Sequence, residues 1–102
     1  MDINMPEFCI LPKFVYMDHS IPPLARILFV IVETLSHKEG YCYATNKYLG
    51  EMTGIDERSI RRLLGVLESN NYIKIILYKN KPNNSKRRIY ILKKIGQISP
   101  NS

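Results

Sequence analysis

Arg58, Arg61 and Arg62 follow Asp56 closely in the chain. Arginine carries a planar fork of donors that bonds guanine bidentately or clamps a phosphate, so a cluster of this kind is suited to reading nucleic acid. A second group, Lys79, Lys81, Lys86, Arg87 and Arg88, surrounds the turn-forming residues Pro82, Asn83 and Asn84. Cations so placed contact phosphates or reach into a minor groove. A third set is Thr45, Asn46 and Lys47, short polar and basic residues where free backbone N–H groups could hold a phosphate.

Residues for catalysis are missing by comparison. His19 and His37 stand alone, no glycine-rich phosphate loop occurs, and no Ser, His and Asp set is spaced for nucleophilic chemistry. The chain is therefore not expected to be an enzyme. Cys9 and Cys42 lie far apart in no Cys-x-x-Cys pair, so reduced core thiols are expected, with no metal and no cofactor.

The net charge of +6 conceals an asymmetry. Residues 1–68 hold seven Lys/Arg and nine Asp/Glu, a net of −2, whereas residues 69–102 hold eight Lys/Arg and no acid, a net of +8. The basic third of the chain points to a polyanionic partner.

At 102 residues, 45% of them hydrophobic and 24% charged, the chain has the size and composition of one ordinary folded domain. The longest apolar run, Ile27 to Val32, is bracketed by Arg26 and Glu33 and is far short of the ~20 residues a membrane span needs. The first residues carry Asp2 and Glu7 and no base, unlike a secretory signal, so a cytoplasmic location is expected.

The elements that position these residues follow from periodicity. Residues 1–20 scatter Phe8, Ile10, Leu11, Phe14, Val15 and Met17 around Pro12 and read as a partly extended arm covering the core. Pro22 and Pro23 suit a first helical turn, and a helix follows to about Ser36. Its apolar stripe is Leu24, Ile27, Leu28, Ile31 and Leu35, widened by Phe29, Val30 and Val32, so the helix is central or also packs on a second chain. Tyr41 to Tyr43 read as a short extended piece, and Thr45 caps a second helix closed by Thr53 and Gly54.

Asp56 caps a third helix that ends at Asn70 and Asn71. Ile60, Leu63, Leu64 and Leu67 share one face, and with a step of about 100° per residue Arg58, Arg62, Gly65 and Ser69 fall opposite, flanked by Arg61 and Ser59. Gly65 would let the backbone approach a duplex closely. The competing explanation is a solvated face whose arginines pair with Glu57 or Glu68.

Residues 72–78 (YIKIILY) and 87–92 (RRIYIL) read as two strands, with the polar KNKPNNSK between them as a long hairpin tip. Lysines on an edge strand also block unwanted pairing, but the absence of any acid after Glu68 favours an anionic ligand.

The order helix, short strand, helix, tight turn, helix, hairpin predicts an α+β, mainly α architecture: a winged helix-turn-helix with a three-helix core and a two-stranded β-hairpin wing. Residues 21–92 form this domain and residues 93–102 a flexible tail or the start of a linker. Double-stranded DNA is the expected partner, with a possible homodimer through the first helix, and no membrane association is expected. A protein-interaction module is the competing class, since fold does not fix function.

The segments FCILPKFVYMD, SIPPLARILFVIVETLS and GYCYATNKYLGEMTGIDERSIRRLLGVLESNNYI, with the basic wing after them, resemble the N-terminal winged helix-turn-helix domain of plasmid and phage replication initiators of Gram-positive bacteria, the replisome-organiser type. The part IDERSIRRLL is similar to the recognition helix of GntR-type transcription regulators, which implies DNA contacts at Glu57, Arg58, Ser59 and Arg62. The first resemblance implies binding to repeated origin sites and recruitment of replication proteins through a separate C-terminal region that this sequence does not include. The chain is accordingly a DNA-binding piece of a longer initiator or a small regulator of transcription that binds an operator. Two departures from the family pattern stand out: Asn70 and Asn71 replace the glycine common before the wing, and the tip is long.

Overall fold

Four helices and one antiparallel hairpin make up the computed structural model, which describes residues 12–81 and 84–93; the side chains of 79–81, 84 and 85 fall outside the description. In chain order they are α1 (Lys13–Tyr16), α2 (Pro23–Leu35), α3 (Asn46–Thr53), α4 (Glu57–Ser69), β1 (Ile73–Lys81) and β2 (Asn84–Ile91). The three-helix core is α2, α3 and α4, and the hairpin follows it as a winged helix-turn-helix requires.

The expected arm differs in its described part, where α1 forms a short helical turn with Val15 fully buried. Its position is fixed by polar contacts that sequence periodicity does not register. The Arg26 guanidinium donates to the carbonyl of Tyr16 at 2.9 Å and to that of Ile21 at 3.2 and 3.3 Å. The Tyr72 hydroxyl donates to the Asp18 carboxylate. Residues 1–11, including Cys9, and residues 94–102 lie outside the described residues.

The buried face of α2 is rotated from the stripe that its spacing predicts. Ala25, Leu28, Phe29, Val32 and Leu35 are buried, whereas Leu24 and Ile27 are 47% and 49% exposed. This helix is apolar nearly all round, so two overlapping stripes fit equally well. Packing decides between them: Phe29 meets the edge of Tyr72 at 4.9 Å between ring centroids, which turns its side of the helix inward.

Thr45 caps α3, its hydroxyl accepting from the Tyr48 amide at 3.0 Å, and Gly54 ends the helix in the left-handed region at φ 77°. Asp56 then caps α4 by accepting from the Ser59 amide at 3.1 Å. Ile60, Leu63, Leu64 and Leu67 are buried along the face that periodicity assigns to the core. At the other end Asn71 takes φ 62°, Tyr72 N–H bonds Leu67 C=O at 2.9 Å, and Asn71 N–H bonds Glu68 C=O at 3.1 Å. That pair of bonds is a Schellman motif, and asparagine tolerates the left-handed conformation well enough to stand where glycine is usual.

The hairpin is longer, and its tip shorter, than composition implies. Pairing runs from Ile73 opposite Ile91 to Lys81 opposite Asn84, with an irregularity between Lys79 and Lys81, so only residues 82 and 83 separate the strands. Backbone ladders do not require apolar side chains, and the polar composition of KNKPNNSK therefore conceals where pairing stops. Cys42 bridges Ile89 through N to O distances of 2.9 and 2.8 Å, which joins the predicted extended piece to β2 at a single isolated bridge beside the two-stranded sheet. Burial also holds the Cys42 thiol above its ordinary pKa, as expected of an inert core cysteine.

Candidate nucleic-acid interface

The N-terminal half of α4 presents its cations to solvent. Arg58, Arg61 and Arg62 are exposed, and no described acid forms an ion pair with them. The competing explanation, neutralisation by Glu68, has a specific answer: the Glu68 carboxylate accepts from the Ile75 amide at 2.9 Å and so ties α4 to the wing. Glu57 is exposed beside the arginines, and Ser59 is half-buried.

A groove runs between the start of α3 and the wing, lined by Thr45, Asn46, Lys47, Glu57, Leu77, Lys86 and Arg87 among others. The N-terminal end of the α3 dipole gives its end of the groove partial positive charge, which Lys47 and Lys86 reinforce. Thr45 spends its hydroxyl on the cap. The Oδ1 of Asn46 is buried without a hydrogen-bond partner among the described residues.

The wing residues are placed differently from one another. Lys86 is exposed. Arg87 is half-buried and donates to the carbonyl of Ala44 at 2.9 Å, which fixes the wing against the segment leading into α3; removal from water lowers its pKa. Arg88 lies on the other side of the sheet, its guanidinium carbon 4.4 Å from the Tyr41 ring centroid and 4.8 Å from that of Tyr78. A hydrogen bond to Tyr90 raises the Arg88 pKa and lowers that of the Tyr90 phenol. The backbones of Lys79 and Lys81 extend the ladder opposite Ser85 and Asn84, while their side chains and residues 82 and 83 lie outside the described residues.

Of the residues singled out from sequence, Thr45, Asn46, Lys47, Glu57, Lys86 and Arg87 therefore meet around one groove, the α4 arginines stand exposed on the adjoining helix, and Arg88 faces away. Sequence reasoning passed over Leu77, which is 67% exposed at the groove, and the tyrosines around Arg88. Strict alternation along β1 would have placed Leu77 on the groove side. Nothing local marks the partnership between Tyr41 and Arg88, which are distant in sequence.

Two helices joined across a tight turn, packed on a third and followed by an antiparallel hairpin, define a winged helix-turn-helix, a DNA-binding class. Residues 19–73 match the family described as a helix-turn-helix domain, and the chain belongs to that family. The match runs from the segment before α2 to the first residue of β1. No curated protein and no solved structure matches the chain.

Proposed function

We propose that the domain binds double-stranded DNA sequence-specifically, with the N-terminal half of α4 in the major groove. The single observation behind this reading is the set of three exposed arginines on α4, without an ion-pair partner among the described residues and on the side away from the face that anchors the helix in the core. In this reading Arg58 and Arg62 read base edges, with Arg61, Glu57 and Ser59 beside them. The start of α3, through Lys47 and backbone N–H groups near Thr45 and Asn46, holds a phosphate. Lys86, with Lys79 and Lys81, supplies sequence-independent attraction from the wing.

The biological site we propose is a set of origin repeats, bound when plasmid or phage replication is initiated, in keeping with the resemblance of the α2 to α4 segments to initiator domains. Replication proteins would then be recruited by a region beyond this sequence. The alternative is a transcription regulator at an operator, for which the interface is the same. Selecting duplexes from a random pool and footprinting the selected sequence across the parent replicon separates them. Repeats within an origin support replication, a promoter operator supports regulation, and failure to enrich any sequence overturns specific binding.

Pairing of two copies is a further part of the reading, favoured by Leu24 and Ile27, which lie half exposed on α2. Two domains would read half-sites about one helical turn apart. Sedimentation with and without DNA tests it, and a monomer under both conditions would remove it.

A further inference from the structure

The wing has a second face that the duplex reading leaves unused apart from Lys86, which borders both faces. Side chains alternate across a strand, so while Ile73, Ile75 and Leu77 point to the helices and groove, Lys74, Ile76 and Tyr78 point the other way. Opposite these three stand Tyr90, Arg88 and Lys86. The Cys42 bridge brings Tyr41 alongside, with its ring 5.7 Å from that of Tyr90. Arg88 sits between the Tyr41 and Tyr78 rings, and Tyr78 remains 37% exposed.

We infer that this outer face binds single-stranded nucleic acid, with unpaired bases stacking on Tyr78 and Tyr41 while Arg88 and Lys74 neutralise the backbone.

Three observations favour that partner. Neither strand carries an acid, so the face is electrostatically complementary to a polyanion; Glu39, beside Tyr41 and Arg88, is the acid that borders it. Arg88 is preorganised by the rings it lies between, so little freedom is lost when it meets a phosphate or a base. The exposed Tyr78 ring and the half-buried Tyr41 ring add nothing to duplex binding on the outside of a wing, because paired bases hide their π-faces in the stack; unpaired bases offer them. The face is separate from α4 and shares only Lys86 with the duplex reading, so the Tyr78, Tyr41 and Lys74 contacts stand apart from it.

The test uses the whole chain, which has seven tyrosines and no tryptophan, so intrinsic fluorescence reports on tyrosine directly. Titration with a short oligothymidylate should quench that fluorescence and raise the anisotropy of a labelled strand, and a parallel titration with oligouridylate shows whether DNA or RNA is preferred. Tyr78→Ala and Tyr41→Ala should each weaken strand binding about tenfold, as expected for one stacked base, and the Phe variants should restore it. Lys74→Ala, an exposed change that tests the face without touching a ring, should weaken binding and flatten its salt dependence. Duplex binding should be unchanged in all of them, and the Arg58→Ala/Arg62→Ala pair should still bind strands. Binding to neither strand, wild-type strand affinity in the tyrosine and Lys74 variants, or loss of strand binding in the arginine pair would each overturn the assignment.

Discussion

The carbonyl oxygen of Ile55 stands 2.7 Å from the point that a Cβ on Gly50 would occupy. Gly50 lies in α3 and Ile55 in the turn before α4, so this approach sets how tightly the two helices are joined. Gly50→Ala must push the turn outward. An alanine gains about 1 kcal/mol of helix propensity, against a clash of about 1–3 kcal/mol with backbone that cannot swing aside. The variant should therefore melt at lower temperature than the wild type and bind duplex DNA more weakly, measured by thermal unfolding and by titration.

Gly65 is the contrasting case. It is exposed in α4 and nothing lies within 4 Å of a Cβ placed there. Gly65→Ala should stabilise the protein by about 0.5–1 kcal/mol through helix propensity alone. If the α4 backbone approaches the duplex at this point, affinity falls while stability rises. Calorimetry and DNA titration of the same variant read the two effects separately, and a gain in both would move Gly65 off the interface.

Arg87 and Lys86 are adjacent bases with different work. Arg87 donates to the Ala44 carbonyl, so Arg87→Ala should cost about 1–2 kcal/mol of stability by leaving that acceptor unpaired and the wing less firmly held. Lys86 is exposed, and Lys86→Ala should leave the melting temperature alone while weakening binding on every sequence and making its salt dependence shallower. A salt slope equal to the wild type's would remove Lys86 from the interface.

Acid stability should report on Asp18. The side chain of Ser20, and then the Tyr72 phenol, hydrogen-bond its carboxylate and hold its pKa at about 2, below the ordinary value of 3.8; the Tyr72 phenol is pushed up in turn, chiefly by burial. A carboxyl whose pKa is lower in the folded state stabilises the fold above its unfolded pKa, and that contribution is lost as pH falls through the folded value. The stability advantage of the wild type over Asp18→Asn should therefore be full above pH 4 and shrink from there to about 2. An advantage independent of pH across that window would mean that the charge of Asp18 is not what matters.

How much of this was legible in the sequence depends on how local each feature is. The α4 anchor and its caps rest on contacts within a few residues, and Ile60, Leu63, Leu64 and Leu67 are buried as their spacing predicts. The buried face of α2 is not legible locally, because Leu24 and Ile27 fit a helical stripe as well as Ala25 and Phe29 do, and the Tyr72 ring from the far end of the core selects between them. The separate placements of Arg87 and Arg88 were likewise hidden, since both look like free wing cations until Ala44 and Tyr41 are brought beside them. Gly50 gave no signal because its constraint is a backbone oxygen across the turn.

The most direct test of the α4 reading compares affinity for a selected duplex with affinity for a random one, in the wild type and in Arg58→Ala and Arg62→Ala. The wild type should strongly prefer the selected duplex, and each variant should lose about 1–3 kcal/mol on that duplex with little change on the random one, as for a bidentate base contact. Equal wild-type affinity for both duplexes, or variants that retain wild-type discrimination, would contradict it.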